Sequence, residues 1–261
     1  MGPKVIYLAE RNPALPREAW NARWREHGEL ARSLPIWRHI WRYEQNRTIA
    51  VPDNIAACVP GACGDAYGGV GETWYRSTRA RQAMRNEPSL AEIQPDEVET
   101  FGRAVAEFAV LTSEQVRYEA SDTGVKFVIF IFEAKEPQKQ FWSSWRAFIA
   151  SPPLVPLMQA ASAYIEGPAI NPSPSASPSR EGSDKCAGVI EIGFRDRASL
   201  AEATSRPAVS TAWQLIAERL GDARVKTILV EQTLLYDELE EIDWAPTELH
   251  ALRLQMRSDP R

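Results

Sequence analysis

The sequence predicts an α+β protein made of two tandem β-α-β-β-α-β halves whose antiparallel sheets pack face to face into an α+β barrel. Three observations carry that prediction. Segments with apolar residues at every second position alternate with segments repeating at every third or fourth, in the same order in both halves. Matched landmarks keep nearly one spacing: Trp20 and Trp24 stand 121 residues before Phe141 and Trp145, as Phe108 does before Leu229, while Gly69 and Glu72 stand 119 before Gly188 and Glu191. A four-stranded sheet with helices on one face needs cover on the other, which a duplicated chain supplies by turning its two sheets together.

The elements follow in order. The first half reads as a strand over 4–10, a helix over 17–34, a long strand over 36–49, a third strand over 69–75, a helix opening at Ser77 and a fourth strand over 104–112. The second half repeats this with a strand over 125–134, a helix over 138–150, strands over 161–166 and 187–194, a helix over 199–220 and a strand over 225–236. The units span 1–118 and 124–240, and a helical tail follows over 241–261. The stretch 52–67, with Gly61 and Gly64 around Cys58 and Cys63, reads as a long loop that is either a functional lid or disordered. Residues 171–183 are Pro/Ser-rich and expected to be mobile. In the tail, Leu249, Leu252 and Met256 recur at helical spacing and suit a contact with a second subunit, which favours a homodimer.

Composition narrows the function. Thirty Lys and Arg against 35 Asp and Glu give a net charge of -5, which argues against a nucleic-acid partner. Hydrophobic residues at 44% and charged residues at 25% allow a sizeable core. No apolar run reaches the ~20 residues of a membrane span, and the opening reads as a strand rather than a leader, so a cytoplasmic protein is expected. Three cysteines, Cys58, Cys63 and Cys186, lack the spacing of a zinc or redox site. Nine Trp point either to a heavily aromatic core or to a cavity for a flat ring.

The run Trp24-Arg25-Glu26-His27-Gly28, then Leu34-Pro35, Tyr43-Glu44-Gln45-Asn46, Tyr67-Gly68-Gly69 and Glu72-Thr73-Trp74-Tyr75 resembles the EthD family of the ferredoxin-like, dimeric α+β barrel superfamily. The resemblance covers residues 4 to about 115. The second half looks like a degenerate copy: it keeps Phe141 and Trp145, but Phe148 stands at the place of His27, and no Tyr-x-Gln-Asn run follows. The resemblance implies an enzyme that is often cofactor-free, such as an aromatic decarboxylase, lactone isomerase, polyketide cyclase or quinone-forming monooxygenase; some relatives bind haem. Fold alone selects none of these.

The strand over 36–49 carries the most chemistry. Alternation puts Trp37, His39, Trp41, Tyr43 and Gln45 on one face and Arg38, Arg42 and Glu44 on the other. Facing a hollow between the sheets, Trp37 and Trp41 would sandwich a planar substrate, His39 would move a proton and Tyr43 would donate to an oxygen. The alternative is an aromatic ladder in which His39 is simply hydrogen-bonded. His27, before Gly28, is either a cap on helix carbonyls or a catalytic group. Glu72 and Glu191 are matched acids in apolar strands, suited to acid–base work or to an ion pair with Arg38 or Arg42. Trp24, Gln45 and Asn46 complete the substrate-binding candidates. No pair of His or carboxylates has ligand-like spacing, and Gly68-Gly69-Val70-Gly71 lacks the third glycine of a dinucleotide fingerprint, so no metal and no cofactor are expected.

The leading expectation is a cofactor-independent lyase, a decarboxylase of a lignin- or polyketide-type phenolic substrate, with His39 and Tyr43 as the proton-transfer pair and Arg38 or Arg42 as a carboxylate anchor. The alternatives are a cofactor-free monooxygenase or isomerase, or a non-catalytic protein that binds an aromatic molecule or haem.

Overall fold

The computed structural model describes residues 2–64, 66–120, 122–132, 134, 136–170, 186–221 and 223–237. Its first half runs β1 (Lys4–Ala9), α1 (Arg17–Ser33), β2 (Ile40–Thr48), α2 (Asp53–Ala56), β3 (Gly69–Tyr75), α3 (Thr78–Arg85), α4 (Leu90–Phe101), β4 (Val110–Thr112) and β5 (Gln115–Glu119). The second runs β6 (Val125–Phe132), α5 (Gln138–Ile149), α6 (Val155–Ala160), β7 (Ala163–Pro168), β8 (Cys186–Phe194), α7 (Arg197–Thr204), α8 (Pro207–Leu220), β9 (Arg224–Glu231) and β10 (Leu234–Asp237).

The strands form one antiparallel sheet in the order β4-β1-β3-β2-β9-β6-β8-β7-β5, with β10 also on β2. Each half shares its split last strand. β4 pairs with β1 of its own half while β5 pairs with β7 of the other; β9 pairs with β6 while β10 crosses to β2. Thr112 bridges Ala169, with Ser113 N donating to Pro168 O at 2.9 Å and Ile170 N to Leu111 O at 2.8 Å, so the two ends of the sheet meet and the barrel closes.

Strand alternation divides the side chains into three layers. Ile6, Leu8, Val70, Val128, Phe130, Val189, Ile228 and Val230 point into the barrel and pack together. On the outer face of the second half, Phe127, Ile129, Trp145, Ile192, Trp213 and Ile216 form the larger helix–sheet core. On the outer face of the first half lie Val5, Tyr7, Trp20, Trp24, Tyr43, Tyr75 and Phe101.

Four expectations need correction. The strand predicted to start at residue 36 starts at Ile40; Pro35–His39 is a 3-10 turn with Pro at its first positions, where a fixed φ and a missing N–H cost nothing. The strand over 104–112 is instead a 3-10 turn at Val105–Glu107 followed by β4, so Phe108 lies outside a strand whereas its expected counterpart Leu229 lies within β9. The helix over 199–220 is broken before Pro207, whose ring cannot continue an α-helix. The stretch 52–67 is no lid: it carries α2, buries Ile55 and Val59 in the second half's core, and bonds to β9 through Thr227 N to Gly61 O and Thr227 Oγ1 to Pro60 O. Residues 171–183 and the tail over 241–261, with Leu249, Leu252 and Met256, lie outside the described residues.

Candidate functional site

The space between the sheets, where a substrate hollow was expected, is occupied by side chains. One end is the apolar cluster of Ile6, Val128 and their neighbours; the other is a buried ion lattice that ties the halves together. Lys4 Nζ reaches Glu72 at 2.5 Å, Glu191 at 2.5 Å and Glu114 at 2.8 Å, and Lys126 Nζ reaches Glu72 at 2.5 Å, Glu191 at 2.9 Å and Glu44 at 3.3 Å. Arg42 closes on Glu44 at 2.7 Å, and Asn46 Nδ2 donates to Glu72 and Glu44 at 2.7 and 3.0 Å. Burial by itself raises every carboxyl here, but Lys126 with Arg42 holds Glu44 at about 2, and Lys126 with Lys4 holds Glu191 at about 2. Glu72 is the group left over: burial and the Glu191 charge outweigh the two lysines and push it to about 7. Glu72 and Glu191 are thus ion-paired, with Lys4 and Lys126 rather than with Arg38 or Arg42.

The face read from alternation is dispersed by the turn at Pro35–His39 and by an irregularity in β2 between Ile40 and Arg42. His39 lies in the turn, 3.4 Å from Glu87, and Arg38 is two-thirds exposed and paired with the same Glu87 at 2.6 Å. Neither reaches the barrel. Trp41 approaches Trp74, ring centroids 6.4 Å apart, on the barrel side. Tyr43 and Gln45 point the other way, to the helices, while Arg42, Glu44 and Asn46 point inward. Trp37 also joins the helix side, edge-on to Tyr43 at 5.5 Å and to Tyr236 of β10 at 5.4 Å.

That helix–sheet layer of the first half gathers the titratable groups. Phe101 at the end of α4 is its hub, edge-on to His27 at 5.3 Å, to Tyr7 at 5.8 Å and to Trp24 at 6.4 Å. The glycines of β3 make room: a Cβ on Gly71 would lie 2.1 Å from Tyr7 Cζ, and one on Gly69 would lie 2.8 Å from the Trp24 ring. The Gly-rich run is therefore an aromatic seat, not a phosphate cradle. Gln45 Nε2 ties the layer to α1 by donating to Trp24 O at 2.7 Å and to the Tyr43 hydroxyl at 2.9 Å.

His27 is buried on α1 with Nδ1 2.6 Å from Asp96 Oδ2 of α4, and Arg23 also binds Asp96. It is a side-chain partner across two helices and not a helix cap. Burial opposes ionisation of Asp96, but its bonds to His27 and Arg23 hold its carboxyl below the usual range. With Asp96 accepting from Nδ1–H, the imidazole carries its lone pair on Nε2. Next in the helix, Glu97 is raised by burial although Val105 N donates to it at 2.8 Å. Burial pushes the Tyr7 phenol up and Tyr43 to about 12, and the nearby Glu97 charge adds to both. Two buried indole donors, Trp24 Nε1 and Trp37 Nε1, have no acceptor; the Trp24 nitrogen sits beside the Tyr7 hydroxyl without hydrogen-bond geometry. The arrangement provides a base held by a carboxylate, an aromatic wall, and donors turned toward an oxygen yet to arrive.

The second half keeps one buried indole donor without an acceptor, Trp213 Nε1, but not the histidine–carboxylate pair or the free phenol. Tyr164 occupies the place of Tyr43, but its hydroxyl is engaged by Trp145 Nε1 at 2.7 Å and Glu166 at 3.0 Å, Phe148 replaces His27, and Trp213 and Phe127 fill the layer. Tyr7, Asp96, Glu97 and Tyr236 were not singled out from the sequence. Tyr7 had a legible signal, a large residue matched against a glycine; Asp96 and Glu97 had none, since only the packing of α4 on α1 brings them in. Among the described residues no group of three or more His, Cys, Asp or Glu is placed to hold a metal, and no helix is long and apolar enough to cross a membrane.

Comparison with known proteins agrees with the architecture. Residues 12–102 match the EthD domain. A solved structure described as an anthrone oxidase-like protein superposes with a TM-score of 0.57 at 11% identity, covering 93% of this chain and 95% of its own. Weaker likenesses are a monooxygenase-described protein of Fusobacterium nucleatum subsp. nucleatum ATCC 25586, with a TM-score of 0.49 at 7% identity over 89% and 92% of the two chains, and a mutant chlorite dismutase of Candidatus Nitrospira defluvii, with 0.43 at 10% over 88% and 91%. No curated protein sequence matches the chain.

Proposed function

We propose that this chain, whose first half carries an EthD domain, is an enzyme that deprotonates a phenolic aromatic substrate in the helix–sheet layer of that half and delivers the carbanion to dioxygen. One observation carries the reading: the buried His27–Asp96 pair adjoins an aromatic layer in which two indole N–H groups lack acceptors beside the phenols of Tyr7 and Tyr43. Unpaired buried donors are costly, and a substrate oxyanion would satisfy them.

In this reading His27 Nε2 removes a proton from an activated ring methylene, and the charge spreads onto a ring oxygen facing Trp24, Tyr7 and Tyr43. The carbanion gives one electron to dioxygen, and the radical pair joins to a peroxide that takes the proton back from His27. Loss of water from the hydroperoxide breaks the O–O bond and the second C–H bond and leaves a carbonyl. The balance is one methylene plus one O2 to one carbonyl plus one water. The substrate supplies the electrons, so no cofactor is required.

A crevice of about 10 Å³ lined by Trp24, Gln45 and Leu235 borders this layer, room for one water. Substrate admission then requires movement of its cover. No residue of α3 is fully buried, so α3 is the part of the cover held least by packing, whereas α4 carries Asp96 and Phe101 of the site itself.

The anthrone oxidase-like neighbour suggests which probe to use first. Incubated with 1,8-dihydroxyanthrone, the protein should consume one O2 per quinone formed, and His27→Asn should lose the activity. Absence of oxygen uptake above the uncatalysed rate refutes the reading. Anaerobic release of carbon dioxide from a hydroxyaryl acid would favour the lyase expected from the resemblance. The haem-binding alternative has less support, since His27 is bonded to Asp96 and His39 faces Glu87.

A further inference from the structure

Arg81 stands on α3, and its guanidinium lies over the Tyr75 ring, 5.2 Å from the centroid. Tyr75 and the neighbouring Met84 pack against the apolar cluster that contains Tyr7, Trp24 and Tyr43, so the guanidinium borders the layer described above. The Arg81 charge is felt at the Tyr75 hydroxyl, which also feels Glu97 of the same layer. Yet Arg81 Nε and Nη1 are both buried and have no hydrogen-bond partner. Lys4, Lys126 and Arg42, the cations of the barrel interior, are each met by carboxylates. A guanidinium stays charged at any accessible pH, and an aromatic face attracts the cation without accepting from its N–H edge. Nε and Nη1 lie on different edges of the guanidinium, each shared with Nη2, so a carboxylate on either edge would accept two parallel hydrogen bonds, one of them from Nη2.

We propose that Arg81 anchors a carboxylate on the aromatic substrate, which makes the ligands of this site aromatic hydroxy acids. The inference rests on the proposed use of the layer as a substrate site. It also bears on the reaction: a carboxylate held in an ion pair is stabilised against departure as carbon dioxide, so Arg81 serves recognition while the chemistry proceeds at the ring.

Equilibrium dialysis of 3-hydroxy-2-naphthoate and 2-naphthol against the wild-type protein, Arg81→Met and Arg81→Lys tests this. The wild type should prefer the naphthoate by about tenfold or more, as expected of a charge-assisted hydrogen bond. Arg81→Met should bring the two ligands within about twofold, through loss of naphthoate affinity alone, and Arg81→Lys should keep part of the preference because it keeps the charge. A preference unchanged in a folded Arg81→Met overturns the anchor while leaving the layer as a binding site. Failure of the wild type to bind either ligand removes the site itself and the anchor with it.

Discussion

Replacing Lys126 by Met tests whether the barrel is held shut by its buried ion lattice. The substitution removes a cation that contacts Glu44, Glu72 and Glu191 from three different strands, and it nearly conserves apolar volume, so loss of charge dominates. Breaking a buried pair from one side costs about 3–5 kcal/mol, because the partner is left charged and dry. Here Glu44 retains Arg42, and Glu72 and Glu191 retain Lys4, so the loss should fall at the lower end, about 3 kcal/mol. Urea unfolding followed by Trp fluorescence at pH 7 measures it. Deprived of Lys126, Glu72, already raised, moves further up and binds a proton that the unfolded chain releases, so acidification from pH 7 toward pH 5 should return part of the loss. Adding Glu191→Gln to Lys126→Met should also recover stability, since it removes one uncompensated charge. A single mutant within about 1 kcal/mol of wild type, or a double mutant less stable than the single, refutes the lattice as the clasp between the halves.

Oxygen uptake should fall by about 10²–10⁴ in His27→Asn, the range of a lost general base, and by less in Asp96→Asn, which leaves the imidazole in place but mis-set; equal activity in all three proteins rejects His27 as the base. Tyr43→Phe keeps the ring contacts and removes one donor, so turnover should drop by about 10²-fold with little change in thermal midpoint. Gly71→Ala places a Cβ on Tyr7 and should destabilise by about 1–3 kcal/mol, and a calorimetric midpoint equal to wild type would contradict that seat. The pH–stability curve should have two limbs. Glu44 and Glu191, low in the folded state, stabilise above their ordinary range and lose that contribution as pH falls from about 4.5 toward 2; Glu72, raised to about 7, favours the folded state when protonated and loses its contribution as pH rises from about 4.5 through 7. Stability rising monotonically from pH 4 to 8 in wild type, with the same slope in Glu72→Gln, would show that Glu72 is not the raised group.

The α+β barrel was legible because period and order survive in the residues: β1, α1, β3, β6, α5 and β8 lie within a few positions of their expected bounds. The direction of the second strand was not. Leu34-Pro35 already carried the signal of a helical turn, since proline suits a first helical position better than a strand. Once residues 35–39 leave the strand and the register shifts after Ile40, His39, Trp41 and Tyr43 can no longer share a face. The structure brings Tyr43, Trp37 and Gln45 of that expected face together with Trp24 and His27 of α1, on the helix side of the sheet. Asp96 was illegible because a contact between α1 and α4, 69 positions apart, leaves no local pattern.

The two sides of the first sheet make incompatible demands, and this decides where chemistry can occur. Facing inward, Lys4, Glu72 and Glu191 exclude water and satisfy one another, so admitting a guest there would strip buried charges of their partners at a cost of several kcal/mol. Facing outward, the first half keeps the Trp24 and Trp37 donors unsatisfied, and α3, none of whose residues is fully buried, packs against the turn that carries Trp37. Such a layer is marginal by itself. The second half offsets that marginality: its matching layer is an apolar core of Phe127, Trp145, Trp213 and Ile216, reinforced by Ile55 and Val59 from the loop of the first half. Because β5 and β10 exchange strands between the halves, rigidity built in one is transmitted to the other. The second half thus supplies the apolar mass that holds the barrel, while the first keeps the His27–Asp96 pair and places the Trp24 and Trp37 donors beside its phenols.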